Sequence, residues 1–295
     1  MITLASTHFS PNIWSDLGDM LATDFMPRAL IAGACVALAA GLVGYFVVLR
    51  NQVFTSDALG HVAFTGGLGG VLVGIPLLLA VFASTIGGAL AIGSLGGRGR
   101  GRDVAIGTVF AWVLGLGVLF LSLYTTSRSG GAGILGVSVL FGSILSLQPA
   151  QAWTAAGAGV ATSIGLLAIC RPLLFASVDP DVATARAVPV HLVEALFLVL
   201  VGLTVAEAVQ AVGALLIFGL MVTPAAIAQN LTANPYAGLA ISALLAVAFV
   251  WAGLFMAFYI PYPASFFIIT ISFGTYLATS PRPRTVERLS SRPTP

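Results

Sequence analysis

The sequence predicts an all-α, polytopic integral membrane protein with about nine helical spans, a short re-entrant helix and a short helix on the cytoplasmic face. Three observations carry this expectation. Hydrophobic residues fill 58% of the 295 positions and charged residues only 7%. Soluble globular chains carry about 25% charged residues, so a soluble fold of this composition would lack the polar surface to cover itself. The apolar residues gather in runs of about 20, the length a helix needs to cross the hydrocarbon layer. Short breaks rich in Gly, Pro and polar residues separate these runs.

Taken in order, the candidate spans are 29–49, 58–74, 77–97, 104–124, 151–171, 191–207, 210–229, 236–257 and 263–279. The breaks are Arg50 to Ser56, Ile75-Pro76, the run Gly96-Gly97-Arg98-Gly99-Arg100-Gly101-Arg102, Thr125 to Gly133, and Asn234-Pro235. Segment 134–147 is apolar but too short to cross comfortably, which suits a re-entrant element. Residues 1–27 are polar, with Asp16, Asp19, Asp24 and His8 and no basic start. They are expected to form an extracytoplasmic tail rather than a cleavable signal. Residues 28–279 form the transmembrane domain, and 280–295 an Arg- and Pro-rich cytoplasmic tail. With a re-entrant 134–147, nine spans put Arg50, Arg98, Arg100, Arg102, Arg171, Arg186, Arg282, Arg284, Arg288 and Arg292 on one face. Arg28 and Arg128 are left on the other. The positive-inside rule makes the first face cytoplasmic, with the N-terminus outside.

Asp57 and His61 are the acid and histidine that stand close together inside the apolar body, in Ser56-Asp57-Ala58-Leu59-Gly60-His61. On a helix they project from one face, one turn apart. A carboxylate oxygen and an imidazole nitrogen so placed can share a divalent cation. Such groups are costly in lipid and mark a pathway or a partner. Asp57 also follows a polar break, and Asp is a good helix N-cap, a role in which it would bind metal poorly. Both readings stand at this point.

The remaining chemistry is sparse. All twelve basic residues are arginine. With no lysine, the Arg/Gly run cannot be a Walker-type phosphate loop, and the chain does not bind ATP in that way. Cys35 and Cys170 lie far apart in apolar stretches and are expected as small buried hydrophobes. Gly66, Gly70 and Gly74 are spaced for close helix packing. Pro224 should kink its span. Glu194 and His191 open a span on the cytoplasmic side, where an exit-path role competes with a plain interfacial one. Glu207 and Gln210 flank the outer ends of adjacent spans, as possible pathway residues or as members of a solvated loop. Between two spans, Asp179 is a good N-cap, Pro180 suits the first helical position, Asp181 suits the positive helix end, and Pro189 ends a short helix that includes Arg186. That helix either ties two spans together or receives motion from a soluble partner.

Four motifs, in order, resemble the permease subunit of zinc-, manganese- and iron-type ABC importers. Ser56 to His61 resembles that family's Asp-x-Leu-x-His segment. Leu140-Phe141-Gly142 resembles its Leu-Phe-Gly element, and Asp179-Pro180-Asp181 to Val188 its coupling helix. Val212-Gly213-Ala214-Leu215-Leu216 through Pro224-Ala225-Ala226-Ile227-Ala228 resembles its Val-Gly-Ala-Leu-Leu…Pro-Ala-Ala-x-Ala span. The chain has Phe64-Thr65-Gly66 where many relatives have an apolar-Pro-Gly step.

The resemblance implies a non-enzymatic permease in the plasma membrane. It pairs with a second copy of itself, with cytoplasmic ATP-binding cassette subunits on the 179–186 helix, and with an extracytoplasmic metal-binding protein. Lipid surrounds it, and nucleic acid is not an expected partner. On the family pattern Asp57 and His61 of both copies would hold the transported divalent metal, zinc or manganese with iron as a third candidate, with no tightly bound cofactor. An ion-gradient-driven secondary carrier and a permease for a metal chelate are the alternative transport readings. A membrane metalloenzyme would need a His-Glu-x-x-His constellation, which the sequence lacks.

Overall fold

A computed structural model describes residues 22–280, apart from 24, 95–99, 128–141, 143, 215 and 261. The N-terminal tail to residue 21 with His8, the C-terminal tail from 281, Arg98, Arg128 and the Leu140-Phe141 pair lie outside the described residues. Among the described residues the regular structure is helical throughout. The helices are α1 Met26–Leu49, α2 Val53–Val73, α3 Leu77–Ser94, α4 Arg100–Ser127, α5 Pro149–Val178, α6 Pro180–Ala185, α7 Val190–Ala211, α8 Ile217–Leu231, α9 Pro235–Tyr259 and α10 Ala264–Thr279. Ile144–Ser146 adds one 3-10 turn.

Each of the nine apolar runs has its helix. Among the described residues six helices are both long and apolar enough to cross a bilayer: α1, α3, α4, α5, α7 and α9. α2 is 21 residues long, but Ser56, Asp57, His61 and two threonines make it less apolar. α8 and α10, with 15 and 16 residues, reach only about 22–24 Å at 1.5 Å per residue, against about 30 Å of hydrocarbon.

Several expected boundaries move. α2 begins at Val53 rather than 58 and runs unbroken through Phe64-Thr65-Gly66. Arg100 and Arg102 belong to the first turn of α4, not to a loop. The break expected at 208–209 lies instead at 212–216. There Gly213 adopts φ +100°, a left-handed conformation open to glycine at no steric cost.

α1 is the central helix and packs against α9, α5, α8 and α7. Small residues allow this closeness. A methyl at Gly41 would stand 2.7 Å from the Ala243 Cα, and one at Gly44 would collide with the Met221 carbonyl. Gly66 and Gly70 likewise seat α2 on Ser84 and Ala80 of α3, which is the packing role their spacing suggests. α4 sits at the periphery on α2. Its far side, with Val104, Trp112, Val118 and Leu119, is exposed.

Candidate functional site

Asp57 is the fifth residue of α2, and Gln52 occupies the N-cap position. Asp57 is therefore no helix cap, and its carboxylate is free of the competing duty to backbone N–H groups. His61 follows one turn later, and both side chains are half-buried. The imidazole meets the Phe110 ring of α4 edge-on, with centroids 4.9 Å apart at 81°. One turn further, Thr65 donates to the Val113 carbonyl at 2.9 Å. His61 and Thr65 of the stripe Asp57–His61–Thr65 thus face α4, and Asp57 stands one turn before His61 on the same helix face. His61 Nδ1 is buried and has no hydrogen-bond partner among the described residues. Buried polar nitrogens are normally satisfied, so this one is poised for a ligand.

The α7–α8 break lies beside this stripe. A methyl on Gly60 would sit 3.1 Å from the Ala214 carbonyl oxygen and 3.2 Å from Ile217. The Val212 carbonyl accepts from Ser265 Oγ at 3.1 Å. Gly142, at φ +72°, packs against Val212 and Gly213. An unwound segment inside a helical membrane bundle exposes carbonyl oxygens, and such breaks are tolerated where they are buried in protein or line a cavity. Among the described residues no three His, Cys, Asp or Glu side chains gather closely enough to hold a metal within one chain. A single copy offers two candidate ligands at this stripe, short of the four that a zinc-type site takes.

Just ahead of α2, near the end that carries Asp57, the structure builds a junction. Arg50 follows α1, and its Nη2 is 3.5 Å from Glu194 Oε1 on α7. Its Nη1 is 3.4 Å from Ser177 Oγ near the end of α5, and its guanidinium lies 5.5 Å from the centre of the Phe197 ring. Glu194 is therefore engaged with Arg50, while His191 is exposed. The predicted short helix is α6. The Asp179 carboxylate accepts from the Asp181 and Val182 N–H groups at 3.1 and 3.0 Å. Pro180 stands at its first position and Arg186 at its C-cap. Ala183 is fully buried, while Asp181, Val182 and Arg186 face outward.

Glu207 and Gln210 occupy the last turns of α7, not a connecting loop. Glu207 is only 1% exposed, which overturns the solvated-loop alternative. Pro224 lies inside α8, and Cys170 is buried while Cys35 is half-buried. The Arg50 junction and the seclusion of Glu207 are what sequence reasoning missed. A lone arginine at the end of a span was the one available signal for the first.

The profile of the family described as the ABC 3 transport family matches residues 22–281. The manganese transport system membrane protein MntC of Halalkalibacterium halodurans is 29% identical over 239 residues, covering 81% of this chain and 80% of that protein. The manganese import system permease protein ScaB of Streptococcus parasanguinis is 29% identical over 235 residues, covering 79% and 82%. Among solved structures, PsaBC from Streptococcus pneumoniae in complex with Fab superposes with a TM-score of 0.79 at 26% identity, covering 91% of this chain and 95% of that one.

Proposed function

The chain belongs to the ABC 3 transport family, and on that premise we propose that it is the permease of an ATP-driven importer of divalent metal, with manganese as the principal cargo. Asp57 and His61 on one face of α2, with an unpartnered imidazole nitrogen inside an apolar bundle, are the observation that carries this reading. A second copy related by a twofold axis supplies the same pair, giving two carboxylates and two imidazoles. That donor set suits Mn²⁺ and Zn²⁺, and the absence of thiolate suits a site that must release its cargo. The relatives named for manganese support Mn²⁺.

In this reading the nine helices other than α6 cross the membrane, α8 and α10 as short spans, with the N-terminus outside and α6 and the C-terminal tail inside. Most of the segment expected to re-enter, 134–147, lies outside the described residues. An extracytoplasmic protein delivers the cation, and two ATPase subunits dock on the outward side of α6, around Asp181, Val182 and Arg186. ATP binding draws the ATPases together and moves α6. The Arg50 junction touches Ser177 before α6 and Glu194 after it, and Arg50 lies seven residues ahead of Asp57. Movement of α6 is thereby passed to the helix that carries the metal ligands, and the paired bundles alternate the side from which the site is reached.

The test is ATP-dependent uptake of Mn²⁺ by the complete complex in proteoliposomes. Asp57→Ala abolishes uptake and leaves assembly intact. Uptake by that variant at the parent rate would remove Asp57 from the mechanism, and uptake without any ATPase would replace the ABC reading by a secondary carrier.

A further inference from the structure

Glu207 has no place in the transport cycle described above. It lies in the apolar interior of the bundle at 1% exposure. Its Oε1 accepts from Thr162 Oγ1 on α5 at 3.2 Å. Its Oε2 is buried and has no hydrogen-bond partner among the described residues, and no arginine or histidine among them forms an ion pair with it. A carboxylate so placed is costly unless a positive charge joins it.

A cavity of about 270 Å³ stands beside it, lined by Leu78, Leu79 and Phe82 of α3, Thr154 of α5, and Glu207 and Gln210 of α7. Water takes about 30 Å³ per molecule in the liquid, so the space admits a cation with part of its hydration shell. The cavity lies at the starts of α3 and α5 and the end of α7, away from α6 and the Arg50 junction.

The polar groups of this wall are oxygen donors. Gln210 follows Glu207 on the same face of α7. Its amide N–H donates to the Ala206 carbonyl at 3.3 Å, which leaves the amide oxygen for a ligand. Thr154 donates to the Gln151 carbonyl at 2.9 Å and keeps its lone pairs. The last turn of α7 also presents the negative end of its dipole, which favours cations.

We propose that Glu207 anchors a second cation site, on the membrane face opposite α6, that takes a hard divalent cation such as Mn²⁺ through oxygen ligands from Glu207, Gln210 and Thr154. Hard cations prefer such all-oxygen sets. The site loads cargo ahead of the Asp57–His61 stripe, a role that rests on the transport reading; the binding itself does not.

The experiment titrates Mn²⁺ by electron paramagnetic resonance into the detergent-solubilised complex without nucleotide, using the Asp57→Ala, His61→Ala double variant. One saturable Mn²⁺ per chain is expected to remain. Glu207→Gln in that background weakens it at least tenfold, and Gln210→Leu, at a half-buried position that should fold normally, weakens it about three- to tenfold. A double variant that takes up no Mn²⁺, while the parent does, overturns the second site and leaves the stripe standing; this is also the result if Glu207 holds only a proton. Retained binding that neither Glu207→Gln nor Gln210→Leu alters overturns the second site as well. A parent complex that binds no Mn²⁺ overturns both.

Discussion

Replacing Arg50 by methionine removes the one described ion pair that links the ends of α1 and α7. The Arg50 side chain is 11% exposed and that of Glu194 30% exposed, so the pair lies between the surface case, worth up to about 1 kcal/mol, and the buried case, where removing one partner costs about 3–5 kcal/mol. Glu194 retains access to water, which places the loss near the lower limit, at about 1–2 kcal/mol. The guanidinium facing the Phe197 ring at 5.5 Å adds about 0.5–1 kcal/mol. The 3.4 Å contact to Ser177 is too long to add much. The total is about 2 kcal/mol, or about 30-fold in an equilibrium between two states of which one keeps the junction. The assay compares Mn²⁺ transported per ATP hydrolysed by the reconstituted complex. Arg50→Met is expected to retain ATP hydrolysis and lose most coupled transport, with Glu194→Gln giving the same phenotype in milder form. In a double-mutant cycle the two changes should be sub-additive by about 1 kcal/mol. An unchanged transport-to-hydrolysis ratio in Arg50→Met, or full additivity in the cycle, would refute the junction as a mechanical link.

Other outcomes follow from the same geometry. Gly44→Ala drives a methyl into the Met221 backbone, and overpacking of this kind costs about 1–3 kcal/mol; the melting temperature of the purified protein should fall, and an unchanged value would mean that α1 and α8 are not in close contact. Asp179→Ala leaves two N–H groups of α6 without their acceptor, a loss of about 1 kcal/mol; affinity for the ATPase subunits should fall about fivefold in a binding assay while the permease remains folded. Phe110→Leu removes the ring that steadies the imidazole without touching a ligand atom; KM for Mn²⁺ should rise a few-fold at nearly constant kcat, whereas a collapse of kcat alone would point to a different role for α4.

Much of the helix plan was legible because it follows from composition. Apolar runs of bilayer length, set off by Gly, Pro and polar breaks, mark helices whatever surrounds them. α6 was legible for a local reason, since Asp179, Pro180 and Asp181 fix a helix start through capping and backbone geometry alone. The Asp57–His61 pair was visible as an i, i+4 spacing, although only the structure shows that Gln52, and not Asp57, occupies the cap position. The rest depends on which way each helix face turns. In a lipid-embedded chain apolar residues cover all sides of a helix, so periodicity says little about rotation. Nothing in the sequence therefore showed that Glu207 turns toward Thr162, or that Arg50 reaches both Ser177 and Glu194. The break at 212–216 depends on a single glycine with positive φ, in a chain that contains 34 glycines.

The number and ligands of metal ions held by the assembled permease test the central claim most directly. Equilibrium dialysis of the complex with Mn²⁺, at concentrations well below saturation of any weaker site, should give one tightly held ion for every two chains. Pulsed electron paramagnetic resonance should show nitrogen coupling to that ion, lost in His61→Ala. One tight ion per chain, or nitrogen coupling that persists in His61→Ala, would contradict a site shared by Asp57 and His61 of two copies.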